Sequence, residues 1–203
     1  MKFLMKLVSA LCHPLLMATY LSVVMLVGAP DLFAYPPRAT KILILAVFLT
    51  TCVIPAFTIY SLKLFSKISN LELTNKEERP LPFSLIFIWY GVSSFLFVER
   101  LQLGKPFSTI IIAATVLIGL LFVITKWFKI SIHSTAIWSA AGIIAALNIV
   151  DAVTLPLALM TSILFAGLTS TSRLYLGYHQ PKEVWYGGFL GFCFSFLAVF
   201  FFG

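Results

Sequence analysis

Seven apolar runs dominate the chain, at roughly 8–29, 42–65, 82–100, 107–126, 133–150, 152–171 and 184–202. Within each run the apolar residues are continuous and do not alternate with polar ones, which favours helices over the strands of a membrane barrel. Each run is close to the ~20 residues that an α-helix needs to cross hydrocarbon. The pattern predicts an all-α polytopic membrane bundle of six or seven transmembrane helices, one integral-membrane domain over residues 1–203. The shortest break, Asn148-Ile149-Val150-Asp151, predicts a very tight turn between the fifth and sixth runs. The longest polar linkers fall at about 30–41 and 66–81, and the first, with Pro30, Pro36 and Pro37, reads as a connector. No polar stretch is long enough for a soluble domain, and no internal repeat is evident.

Composition sharpens this picture. Hydrophobic residues make up 61% of the chain and charged residues 10%, with a mean hydropathy of +1.04. A soluble domain carries far more charge, so the chain reads as an integral membrane protein. The formal charge is +7, but no basic run is long enough to point to nucleic acid. Cys12, Cys52 and Cys193 sit in apolar runs without metal-ligand spacing and read as small hydrophobes. Two lysines precede the first run without a small-residue cleavage site, so it reads as a retained helix. Counting crossings, ten of the 14 Lys and Arg residues share one side with the 66–81 linker; Arg38, Lys41, Arg100 and Lys105 share the other. The positive-inside rule puts the first side in the cytoplasm.

Against this background the polar stretch from Ser172 to Glu183 stands out. It places Arg173, His179 and Glu183 between two membrane-length runs. Gly177 allows a turn, and Pro181 suits the first turn of a following helix. His179 and Glu183 then stand about one helical turn apart and can meet on one face. A carboxylate there can orient the imidazole and select its tautomer. Arg173 offers a planar fork of donors suited to phosphate. The plainer alternative is a basic loop that anchors the flanking helices among lipid headgroups.

The spacing Ser172-Arg173, five residues, His179, three residues, Glu183 resembles the third motif of the type 2 phosphatidic acid phosphatase superfamily, the lipid phosphatases related to vanadium haloperoxidases. The family usually has Asp where this chain has Glu183, and either carboxylate can accept an imidazole N–H. Asn75-Lys76-Glu77-Glu78-Arg79-Pro80 resembles the first motif, with Lys76 closer to Arg79 than is usual. Lys129-Ile130-Ser131-Ile132-His133 resembles the second, with Ile130 and Ile132 replacing Pro and Gly. Two whole runs separate these motifs, as in a compact divergent branch found in bacteria. The resemblance covers the chain from about residue 66 onward. It implies a membrane lipid phosphatase in the bacterial cytoplasmic (inner) membrane, acting on a lipid or polyprenyl phosphate without a metal or other cofactor. It implies that His179 is the nucleophile, Glu183 its orienter and His133 the general acid. Arg79, Arg173 and one of Lys76 or Lys129 would bind phosphate, with Ser131 beside them.

Crossing number supports this grouping independently, because Arg79, His133 and His179 all open runs that start on the same side. Three helix N-termini would then face one polar cavity, each favouring an anion. His13, before Pro14, reads first as a helix cap or kink and otherwise as a residue lining that cavity. Glu77 and Glu78 read as a solvated charge cluster. A lipid phosphotransferase would use the same residues with an alcohol in place of water, and a transporter or scaffold could keep the fold without turnover. A magnesium-dependent prenyltransferase would need paired Asp-rich motifs, and Asp31 and Asp151 are the chain's two aspartates.

Overall fold

The computed structural model describes residues 1–29, 36–150 and 154–203; Pro30, Asp31 and Asp151 lie outside them. Among the described residues, seven helical segments are long and apolar enough to cross a membrane. The protein is an all-α integral membrane bundle.

The first segment is α1 (Lys2–Leu11) and α2 (Met17–Gly28), joined by a tight turn at Pro14–Leu16. The break occurs where Pro14 removes a backbone donor, and His13 Nδ1 caps the turn by accepting the Leu15 N–H at 3.3 Å. The second segment is α3 (Pro37–Phe48) and α4 (Ile54–Leu64), continuous through a widened turn at Leu49–Val53. Pro55 cannot bond the carbonyl of Thr51, four residues back. Tyr90 Oη donates to that carbonyl instead, at 3.3 Å, and so ties the second segment to α5 (Pro80–Phe95). The remaining crossings are α6 (Lys105–Ile124), α7 (Ile132–Ile149), α8 (Pro156–Tyr175) and α9 (Pro181–Phe202). Proline occupies one of the first two positions of α3, α5, α6, α8 and α9, where its missing N–H costs nothing.

Helix α7 is the axis of the bundle. Two thirds of its membrane-length window (67%) is buried, against 22–39% for the other six segments. Its closest neighbour is α9, and glycine makes that approach possible. A methyl group at Gly187 would lie 2.8 Å from the Ser131 carbonyl, and one at Gly191 would run into the Thr135 backbone. Ser139 and Ser195 share a hydrogen bond of 2.6 Å deeper along the same contact. Leucines, methionines and phenylalanines on α8 and α9, such as Leu157, Met160 and Phe189, point outward as a lipid-facing surface.

Several boundaries differ from the sequence reading, and the first crossing starts at Lys2, not at residue 8. The sixth crossing is α8, from Pro156 to Tyr175, and not residues 152–171. Arg173 therefore stands in the last helical turn, where a cation complements the helix dipole, and not in the loop beyond it. The polar residues can stay helical because they find partners, as when Ser172 Oγ donates to the Met5 carbonyl at 2.7 Å. Between α7 and α8, Asn148 Oδ1 accepts the Leu155 N–H at 2.7 Å and caps the incoming chain.

Candidate functional site

The site collects at the end of the bundle where α5, α7 and α9 begin and α8 ends. Gly177 turns the chain out of α8 with φ +70°, a conformation that side chains resist. Gln180 is the N-cap of α9, and Glu183 at the third helical position completes a reciprocal capping box with it. The same carboxylate accepts the Gln180 N–H at 3.3 Å and lies 2.6 Å from His179 Nδ1. The cap that starts the helix thus also orients the imidazole. Lys129 Nζ donates to the Tyr178 carbonyl at 3.2 Å and sits 3.9 Å from Glu183 Oε2.

Helix α7 starts against this corner. The Ser131 N–H donates to the Glu183 carbonyl at 3.0 Å, and Ser131 Oγ caps α7 by accepting the Ser134 N–H at 3.4 Å. That bond sets His133 at a fixed height relative to His179. The His133 ring meets the His13 ring edge to face, with centroids 5.2 Å apart.

Arg173 is 1% exposed and well held. Nη1 donates to Ser9 Oγ at 2.7 Å, Nη2 donates to Glu72 Oε2 at 3.1 Å, and the guanidinium lies 4.5 Å from the Tyr178 ring centroid. Its Nε is buried without a partner among the described residues. Arg79 is equally buried, but Nε donates to the Leu73 carbonyl and Nη1 to the Ile130 carbonyl, both at 2.8 Å. It clamps the 66–81 linker to the start of α7.

A cavity of about 140 Å³ lies beneath these residues, with His13, Glu72, His133, Arg173 and His179 at its polar end. The rest of its wall is mostly apolar, interrupted by Ser22, Tyr90, Thr135 and Ser139, and runs along α2 from Met17 to Met25 and along α6 from Leu121 to Phe107. That stretch of α6 is about 21 Å long at 1.5 Å per residue. Burial, and then the positive charge of Arg79 and Arg173, hold His179 below its ordinary imidazole value, at about 4, against the opposing pull of Glu183. His179 is therefore a neutral imidazole at neutral pH. Its Nδ1 hydrogen is directed at the carboxylate, which leaves the Nε2 lone pair available for chemistry.

Of the sequence-predicted residues, the structure brings His133, Arg173 and His179 to one cavity wall, with Glu183 directly behind His179. Arg79 contributes its charge from behind the wall, with two donors committed to backbone carbonyls. Ser131 is spent on capping; the Lys76 carbonyl accepts the Arg79 N–H at 3.2 Å, but among the described residues no bond or ion pair of the Lys76 side chain reaches the other site residues, whereas Lys129 reaches Glu183. His13 fills both roles that its sequence allowed, cap and cavity wall. Glu78 is not simply solvated, because it accepts from the Ser69 N–H and from Asn75 Nδ2 and so shapes the linker. Sequence reasoning missed Ser9, Tyr178 and Glu72. For Glu72 there was a signal: a lone acid between Leu71 and Leu73, in a chain with seven acids in all. Comparison with protein-family models, with curated proteins and with solved structures finds no match to this chain.

Proposed function

We propose that the protein is a membrane phosphatase that hydrolyses a lipid or polyprenyl mono- or diphosphate through a phosphohistidine intermediate. What supports this most is a neutral His179, held by Glu183 at 2.6 Å, in a cavity shared with His133 and a buried arginine with an unpartnered donor. Nε2 of His179 attacks phosphorus and the bond from phosphorus to the leaving oxygen breaks. His133 gives that oxygen its proton, then takes one from the water that attacks the phosphohistidine. Arg173 neutralises charge on the transferring phosphoryl oxygens, which is the larger part of what phosphoryl transfer requires. The apolar wall below the polar end suits a hydrocarbon tail. On this reading the chain is a compact bacterial relative of the type 2 phosphatidic acid phosphatases, in the cytoplasmic membrane with its site facing the cytoplasm.

The test is phosphate release by purified protein from phosphatidate, phosphatidylglycerophosphate and polyprenyl diphosphate. Release from at least one, abolished by His179→Ala, is the expected result. Transfer to an added alcohol in preference to water would make it a phosphotransferase. Binding without turnover of any substrate would make it a carrier or scaffold and end the enzymatic reading.

A further inference from the structure

On that phosphatase reading, we infer that Glu72 is an internal stand-in for the substrate's phosphate, a carboxylate that the phosphate must displace from Arg173.

The edge of a guanidinium formed by Nε and Nη2 presents two parallel N–H groups, the pair that grips phosphate bidentately. In Arg173 that edge is half used. Glu72 Oε2 takes Nη2 at 3.1 Å, and Nε is buried with no partner among the described residues. An orphaned charged donor at 1% exposure is costly, and an anion able to take both donors would relieve it. Glu72 takes one. Nη1 is held by Ser9 on the opposite flank and Tyr178 lies against the guanidinium, so the arginine itself keeps its place when its partner changes.

Glu72 is also built to leave. Its side chain is 45% exposed, so swinging out returns the carboxylate to water. The next residue stays fixed: Leu73 is buried, has φ 49°, and its carbonyl is held by Arg79 Nε at 2.8 Å. Both arginines that resemble the family's phosphate ligands thus grip neighbouring residues of one linker. Arg79 holds the hinge and Arg173 holds the movable carboxylate. Such a latch discriminates between anions. Inorganic phosphate must displace Glu72 with its charge alone, whereas a lipid phosphate adds the burial of its tail in the apolar part of the cavity. Glu72 would therefore weaken product inhibition and help phosphate leave.

The experiment measures competitive inhibition by inorganic phosphate in wild-type protein, Glu72→Gln and Glu72→Ala. Removing the competing carboxylate should tighten phosphate inhibition about tenfold, the size of one charge-assisted hydrogen bond. The gain should vanish when Arg173→Lys is added, because lysine lacks the fork. In wild-type protein, inorganic phosphate should speed hydrogen exchange of the Leu71 and Glu72 amides, a readout that needs no variant. Unchanged or weaker phosphate inhibition in both Glu72 variants, or exchange unmoved by phosphate, would overturn the latch while leaving a turning-over phosphatase in place. Wild-type protein that neither hydrolyses a lipid phosphate nor binds inorganic phosphate would remove the phosphatase reading, and the latch with it.

Discussion

Glu183 Oε2 lies 2.6 Å from His179 Nδ1 and also accepts the N–H of Gln180, so one carboxylate oxygen both starts α9 and orients the imidazole. Burial and two nearby arginines outweigh that carboxylate and keep His179 neutral, near a value of about 4. An unfolded histidine titrates near 6.5. Between those values the unfolded chain binds more protons than the folded one, so this residue's contribution to stability falls as pH drops from about 6.5 toward 4.

Imidazole nitrogen NMR, with the resonance assigned by its loss in His179→Gln, should show a neutral ring at pH 6 that protonates only well below it. A midpoint at or above 7 would mean that the carboxylate dominates and that half or more of the proposed nucleophile is protonated at pH 7.

Arg173→Lys should cost far more than its retained charge suggests. Lysine cannot hold Ser9 and Glu72 at once while lying flat against Tyr178. Turnover should drop at least about tenfold, in the range of ~1.5–3 kcal/mol for a charge-assisted contact. Wild-type turnover in this variant would make Arg173 a headgroup anchor.

The two histidines should separate kinetically. His179→Ala should abolish turnover of every substrate, because no covalent intermediate can form. With p-nitrophenyl phosphate, whose leaving group hardly needs an acid, His133→Ala should release a burst of nitrophenol and then stall. Mass mapping should place an acid-labile phosphate on His179 in the stalled protein; its absence there, with no burst, would refute the assigned roles.

Tyr90→Phe should destabilise the fold by about 1–3 kcal/mol, because it leaves the buried Thr51 carbonyl without a donor. Pro55→Ala restores a backbone N–H that can reach the same carbonyl, so the cost of Tyr90→Phe should shrink in that background. Thermal unfolding in detergent of the two single variants and the double variant reads this directly. Equal costs in both backgrounds would show that the hydroxyl and the proline are unrelated.

Sidedness is open to labelling at Ser69, which is exposed in the linker over the site. With that linker in the cytoplasm, Ser69→Cys should resist an impermeant thiol reagent in intact cells and react once the membrane is opened. Ready labelling of intact cells would place the site outside.

The number of crossings was legible in the sequence, because a bilayer imposes ~20 apolar residues on each helix and that demand is local. The helix starts were marked by prolines such as Pro80 and Pro181, and the turn by Gly177, again through local backbone rules. The contact of His179 with Glu183 was equally readable, since four positions across a helix start must bring the two together. Arg79 and Ser131 were expected from the motif resemblance to bind phosphate, yet what they bond depends on which carbonyls and amides the bundle brings beside them. Their partners come from connections that no local pattern places. Glu72 and Arg173 are 101 positions apart, and His13 and His133 belong to the first and fifth crossings. Such pairs exist because buried polar groups must find partners wherever the packed helices supply them, a condition set by the whole bundle at once.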